Sequence, residues 1–254
     1  MSLFDAIILG FIQGVTEFLP ISSSGHLVIG NHFLKIFNDN ILFEVFVHLG
    51  TLVAILYFYR FDIVEILRGS LNKDKKYLEY VYLLMLSTIP AISVGFLFNN
   101  QIKNLYDIGW VSMFLIITGL VLFLSKFSNQ RSIALSPFYV LIIGVFQAFA
   151  ILPGISRSGM TIGIALLLGV NKKDASKFSF FMAIPVILGA VLLELINISD
   201  IQSVQVINLF IGFLVAALTG YFSINWLIKI IDRLYFWKFS FYVWLVSLII
   251  ICYA

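Results

Sequence analysis

Charge is what this chain has least of: Asp, Glu, Lys and Arg make up 11% of its 254 residues, against about 25% in soluble domains. It has one cysteine, Cys252, which excludes an internal disulfide and a cysteine-built metal cluster. No low-complexity run and no polar stretch long enough for a soluble domain is present. Met1 to Asp5 carry no basic n-region, so no cleaved signal peptide is expected. The formal net charge of +3 is scattered through short loops, and gives no basic surface for nucleic acid. What remains is apolar: 61% hydrophobic residues and a mean hydropathy of +1.05. An all-α polytopic membrane protein is the expectation.

Six segments read as full spans, at 42–59, 78–98, 109–125, 178–196, 205–228 and 239–254, each near the roughly 20 residues a bilayer requires. The connecting loops differ in charge. Arg60, Arg68, Lys73, Lys75 and Lys76 fall in 60–77, Lys126 and Arg131 in 126–136, Lys172, Lys173 and Lys177 in 170–177, and Lys229, Arg233 and Lys238 in 229–238. The 99–108 loop has Lys103 alone, and 197–204 has no basic residue. Short basic loops stay cytoplasmic. The first four are therefore expected inside and the last two outside, with Glu194 and Asp200 near the outer interface.

Two further apolar segments, 3–30 and 137–169, are each broken by a Pro/Gly/Ser stretch. Two spans apiece would need about 40 residues, more than either has. Re-entrant hairpins are the better reading, one entering from each side. The second echoes the first at an offset of 134 residues: Gly10, Gln13, Ile21, Ser22, Ser24 and Gly25 recur as Gly144, Gln147, Ile155, Ser156, Ser158 and Gly159. Each hairpin is followed by three spans. Residues 1–128 and 129–254 are thus expected to be inverted-topology repeats within one membrane domain, a layout that places sites where broken helices meet.

The chemistry-bearing residues concentrate at the two breaks. Glu17 precedes the first break; an ionisable group in a membrane is costly and faces a cavity or a partner. It reads as a general base or metal ligand, against the plainer role of bonding loop backbone. Ser22, Ser23, Ser24 and Gly25 start a helix, where free N–H groups suit phosphate; capping alone accounts for one or two serines. His26 can move a proton or attack phosphorus. Arg157 stands where the first copy has Ser23. Its planar fork holds phosphate in a bidentate way, and its plainer role is an ion pair with Glu17. Gln13, Thr16, Ser156, Ser158 and Thr161 are candidate donors to the same anion. Glu44 and His48 share a helix face at i, i+4.

Gln13-Gly-Val-Thr-Glu-Phe-Leu-Pro-Ile-Ser-Ser-Ser-Gly-His26 and Leu152-Pro-Gly-Ile-Ser-Arg-Ser-Gly159 resemble the two signature motifs of the undecaprenyl-diphosphate phosphatase family, the bacitracin-resistance membrane phosphatases. The likeness extends to Phe43-Glu-Val, Leu49-Gly-Thr51 and Ser179-Phe-Phe-Met-Ala-Ile-Pro185. It implies a multi-pass bacterial inner-membrane enzyme. Such an enzyme removes one phosphate from undecaprenyl diphosphate and recycles the lipid carrier for peptidoglycan. By the same resemblance Glu17 matches an essential carboxylate, Ser23 and His26 a serine–histidine pair, and Arg157 a phosphate-binding arginine. A divalent cation (Mg or Ca) is implied, with Glu17 and Glu44 as candidate ligands, and no organic cofactor. Gln13 stands where some members have a second Glu, a departure that weakens a metal site built from both. Type-2 phosphatidic acid phosphatases do similar chemistry, but 158–170 holds neither the His nor the Asp that their motif would place there.

The reaction read from these residues is phosphoanhydride hydrolysis of a polyprenyl diphosphate, with Ser23, His26 or water as attacking group. The rival is a secondary transporter or flippase of an anion or lipid phosphate, which shares the architecture. Transport alone does not need the Glu–Ser–His cluster. Oligomeric state is left open, a homodimer included.

Overall fold

The structure is a computed structural model that describes residues 1–36, 41–129, 131–197, 205–233 and 235–253. Among them every long element is a helix. The first half comprises α1 (Leu3–Phe18), α2 (Ser23–Phe33), α3 (Ile41–Phe58), α4 (Arg60–Leu71), α5 (Lys75–Leu97), α6 (Asn99–Lys103) and α7 (Ile108–Leu124). The second comprises α8 (Pro137–Phe149), α9 (Arg157–Leu167), α10 (Lys172–Asn197), α11 (Val206–Asp232) and α12 (Phe239–Tyr253).

The expected spans are α3, α5, α7, α10, α11 and α12. Five have the length and apolarity to cross a bilayer, α7 and α12 together with the short helical turns 125–127 and 236–238 that adjoin them, and α3 meets the test jointly with α4, from which it is bent by 73°. The 60–77 segment was expected as a loop. Its residues 60–71 instead form α4, because Arg60, Asp62, Glu65 and Arg68 are interleaved with Phe61, Ile63, Val64, Ile66 and Leu67 at helical spacing. An ion pair from Lys177 to Asp62 and a hydrogen bond from Tyr77 to Glu65 tie it down. On the opposite face, the 99–108 segment holds α6, and Lys103 meets Glu194 at 3.1 Å. Residues 198–204, with Asp200, lie outside the described residues.

The two broken segments form helix–break–helix hairpins, α1–α2 and α8–α9. Their starts are written locally. Ser2 and Asp5 form a capping box on α1. Ser136 caps α8, with Pro137 in its first turn, where a missing N–H costs nothing. Each hairpin packs its first arm on a span of the other half: α1 on α11, and α8 on α5. The crossings are close. A Cβ on Gly10 would lie 2.7 Å from the Gly212 carbonyl oxygen, and one on Gly144 would run into the Ser87 carbonyl. Small residues of this kind let helix backbones approach in a membrane. Around this core α3 packs on α11 and α10, and α7 on α12. Large apolar side chains such as Phe4, Phe96, Phe222 and Trp226 point outward, a surface that suits lipid. Eight buried polar residues lie on the two hairpins: Gln13, Thr16, Glu17, Ser22, Gln147, Ser156, Ser158 and Thr161.

Candidate active site

The breaks of the two hairpins interlock. Gly154 N–H donates to Ser22 Oγ at 3.1 Å, and Ser158 Oγ donates to the Leu19 carbonyl at 3.0 Å. A Cβ on Gly25 would lie 3.1 Å from Gly154 Cα, so the two chains touch backbone to backbone. Gly154 has φ +101°, and a side chain there would press on the Val111 carbonyl at 2.6 Å. Ser22 has φ 72°, an uncommon conformation for a residue with a side chain. It is held in place by two N–H groups, those of Gly25 (3.2 Å) and Gly154. Thr118 of α7 fixes the second break from behind, donating to the Gly154 carbonyl at 2.8 Å and accepting from Ser156 N–H at 3.1 Å.

At this junction Glu17, the penultimate residue of α1, gathers partners from both hairpins. Its Oε1 accepts from Arg157 Nη2 at 2.7 Å; its Oε2 accepts from Ser23 Oγ at 2.6 Å and from Gln13 Nε2 at 3.1 Å. The side chains of Glu17 and Arg157 are 7% and 12% exposed. A buried charge pair is tolerable when further hydrogen bonds complete it, and Ser23 and Gln13 do so. The Ser23 bond is of the short O–H···O⁻ class. It sets a hydroxyl against a base in the arrangement that activates a nucleophile. Arg157 also reaches the Ser179 carbonyl of α10 at 3.4 Å. Thr161 Oγ1 donates to the Arg157 carbonyl at 2.8 Å and lies 2.6 Å from Ser179 Oγ. His48 of α3 lies within electrostatic reach of Glu17.

The residues singled out from sequence thus divide. Gln13, Glu17, Ser23 and Arg157 converge on one centre. Ser22 and Ser156 cap α2 and α9 through Gly25 and Gly159, and Ser24 and Ser158 each lie 3.3 Å from their neighbouring cap hydroxyl. Thr16 donates to the Ile12 carbonyl at 2.7 Å. These hydroxyls build the junction. His26 does not join the centre by a hydrogen bond. Its Nδ1 lies 2.8 Å from the Ser22 carbonyl, and its Nε2 lies 2.9 Å from Tyr242 Oη of α12, with the two rings stacked at 5.8 Å. A nitrogen facing a carbonyl must carry hydrogen, so the neutral ring is the Nδ1–H tautomer and Nε2 accepts from the tyrosine. Glu44 lines a small recess with Met1, Asn31 and Ile36. Sequence reasoning passed over Tyr242, Thr118 and Ser179 as site residues; of these only Ser179 lay within a quoted motif.

Among the described residues no group of three His, Cys, Asp or Glu side chains is gathered that could hold a metal. Both Glu17 oxygens are already engaged by Arg157, Ser23 and Gln13. This donor set does not fit a cation held by the protein alone.

The family described as "Bacitracin resistance protein BacA" matches residues 6–249. The chain is 37% identical over 269 residues to an undecaprenyl-diphosphatase of Methanobrevibacter smithii, covering 98% of this chain and 97% of that protein. It is 42% identical over 256 residues to the protein of the same name from Methanococcus vannielii, covering 98% and 99%. Against that of Halothermothrix orenii it is 40% identical over 260 residues, covering 100% and 99%.

Proposed function

From the premise that the chain belongs to the BacA bacitracin resistance family, we propose that it hydrolyses undecaprenyl diphosphate to undecaprenyl phosphate and inorganic phosphate. It is a multi-pass membrane phosphatase, and its work returns the lipid carrier to cell-wall synthesis. The transporter reading is not favoured, since the relatives carry the name of a hydrolase. We place the enzyme in the inner (plasma) membrane, with the basic loops and α4 on the cytoplasmic side, on the strength of their charge.

The halves 1–128 and 129–254 are read as inverted repeats. The reciprocal packing of α1 on α11 and α8 on α5 supports this. So do the matched caps of Ser22 on Gly25 and Ser156 on Gly159.

One observation carries the mechanism: Glu17 bridges Ser23 and Arg157. The terminal phosphate of the substrate enters beside Arg157, whose fork moves from the carboxylate to the phosphoryl oxygens. The guanidinium then stabilises charge where it develops in the transition state. Glu17, released from its counter-ion, takes the Ser23 proton. Ser23 Oγ bonds to the terminal phosphorus, the bridging P–O bond breaks, and the lipid monophosphate leaves. Glu17 passes that proton to the departing lipid phosphate and then takes one from water, whose oxygen cleaves the Ser23–phosphate bond; inorganic phosphate leaves and the proton returns to Ser23 Oγ. Gln13 keeps Glu17 oriented. His26 holds the start of α2 through the Ser22 carbonyl and presents Nε2 toward Tyr242.

The test is phosphate release from a long-chain prenyl diphosphate by purified protein, with Ser23→Ala and Glu17→Gln beside the wild type. Loss in both supports the reading. Full activity in both would refute the site.

A further inference from the structure

We propose that the cavity beyond the tip of the α8–α9 hairpin seats the isoprenoid chain of the substrate. The proposal rests on the phosphatase reading above and adds to it the place where the lipid lies.

The space follows from the hairpin itself. The 13 residues of α8 extend about 20 Å at 1.5 Å per residue, whereas the hydrocarbon core is about 30 Å deep. Some depth beyond the tip is therefore left for other groups to fill. There the structure has a cavity of about 510 Å³ between Pro90, Val94 and Phe98 on one side and Ala148, Ile151 and Leu152 on the other. Its walls are almost wholly apolar, and its size falls among ligand sites of roughly 300–1,000 Å³.

Such a void is not a necessary consequence of a half-membrane hairpin, because the other hairpin's counterpart is filled. Phe18 ends α1 and meets Phe180 edge-on at 5.8 Å. Tyr59 packs on Phe180 and Phe181 at 5.9 and 5.3 Å, and Tyr80 on Phe181 at 6.1 Å. Phe18 and Phe180 are fully buried. Aromatic rings plug the region beyond the first tip; an open apolar cavity lies beyond the second.

The cavity also shares two wall residues with the break of the second hairpin. Ile151 and Leu152 belong both to its wall and to the break that carries Gly154, Ser156 and Arg157. Arg157 is five positions after Leu152, so their Cα atoms are at most about 18 Å apart. A prenyl chain whose diphosphate meets Arg157 reaches the cavity within its first few isoprene units. A bilayer acyl chain has the same apolar chemistry, but nothing ties it to this break. The place of Leu152 in the same break as Arg157 selects the substrate's own tail.

The experiment uses wild-type protein in lipid nanodiscs and farnesyl diphosphate with a diazirine on its terminal isoprene. A Ser93→Trp variant accompanies it. Ser93 lines the cavity from an exposed position, so the indole fills the space without entering the packed core. Label is expected on peptides 90–105 and 145–152, competed by undecaprenyl diphosphate and lost in Ser93→Trp. The ratio of kcat/KM for farnesyl over dimethylallyl diphosphate is expected to fall about tenfold in the variant, as lost apolar contacts in a pocket do. Label elsewhere, label displaced by phospholipid but not by prenyl diphosphate, or an unchanged ratio would each overturn the proposal. Absence of phosphate release from every prenyl diphosphate by the wild type would instead sink the phosphatase reading. The cross-linking arm needs no variant, so a misfolded Ser93→Trp does not rescue the idea.

Discussion

Glu17 and Arg157, 140 positions apart in the chain, meet at 2.7 Å in the interior of the molecule, one from each hairpin. Neither hairpin alone makes a site: the first has the hydroxyl and the base, the second the cation. In the substrate-free protein the pair satisfies itself. In the proposed reaction the diphosphate would compete with Glu17 for the guanidinium, and winning that competition would free the base beside Ser23.

Arg157→Lys tests whether this cation does more than balance Glu17. Lysine preserves the charge and can keep the ion pair, but it lacks the planar fork that holds two phosphoryl oxygens at once. We expect kcat/KM to fall about a hundredfold or more, the scale of one lost transition-state contact of this kind, with little change in thermal unfolding in detergent. Near wild-type turnover would reduce Arg157 to a structural counter-ion.

Ser23 and Glu17 are expected to act as a unit. Ser23→Ala and Glu17→Gln should each remove most of the turnover, and the double variant should be little worse than either single one. Groups that work on the same proton are strongly non-additive. Acid quenching of wild-type protein with labelled substrate should trap phosphate on Ser23. Additive losses in the cycle, with no trapped phosphoserine, would shift the attack to water.

His26 and Tyr242 make a graded prediction. Tyr242→Phe removes one hydrogen bond to His26 Nε2 and keeps the ring stack, a change of about 0.5–1.5 kcal/mol, so activity should fall less than about tenfold. His26→Ala also removes the brace on the Ser22 carbonyl, and with it the unusual backbone at Ser22, so it should cost more. A Tyr242→Phe loss as deep as that of Ser23→Ala would place the tyrosine at the reacting phosphorus.

Much of this was legible in the chain. Spans, hairpins and the polar centre follow from apolar run length, from the breaks at Pro20 and Pro153, and from a repeat that keeps Gly10, Gln13 and Ser22 in register with Gly144, Gln147 and Ser156. What escaped has physical reasons. The charge of 60–77 points to a loop, whereas the apolar residues of α4 recur at helical spacing. The hydroxyls of Ser22, Ser156 and Ser158 were read as anion donors, but a junction of two non-helical breaks has carbonyl and N–H groups of its own to satisfy inside a membrane. The family resemblance pairs His26 with Ser23. Its ring instead turns to α12, a span whose Tyr242 carries no local signal among neighbouring Phe and Trp residues.

The glycines at the helix crossings should not tolerate a methyl group. In Gly10→Ala the new Cβ would meet the Gly212 carbonyl at 2.7 Å, and in Gly144→Ala it would meet the Ser87 carbonyl. Both neighbours are backbone, so helices must separate, an overpacking cost of about 1–3 kcal/mol. Gly189→Ala, with nothing within 4 Å of its Cβ, is the control. Thermal unfolding in one detergent should rank Gly189→Ala at or above wild type and the other two below it. Equal midpoints for all three would mean that the close crossings of α1 on α11 and α8 on α5 carry no stability.

Gln147 is the counterpart of Gln13, and the contrast between them yields the last prediction. Gln13 donates to Glu17. The residue one helical turn after Gln147 is Ile151, so no carboxylate stands where Glu17 stands in the first copy. Gln147 is 1% exposed, and among the described residues neither its Oε1 nor its Nε2 has a hydrogen-bond partner. An unmet buried polar group costs about 1–3 kcal/mol, whereas an apolar group of the same shape removes that cost. Gln147→Leu should therefore leave the unfolding midpoint of the substrate-free protein unchanged or raise it. If the midpoint drops instead, an ordered water or lipid headgroup must be satisfying the amide, and Gln147→Glu titrated against inorganic phosphate would show whether that partner is anionic. A rise accompanied by full phosphate release would mark Gln147 as a relic of the repeat. A rise accompanied by lost turnover would mark it as a second amide that the diphosphate uses, facing the substrate as Gln13 faces Glu17.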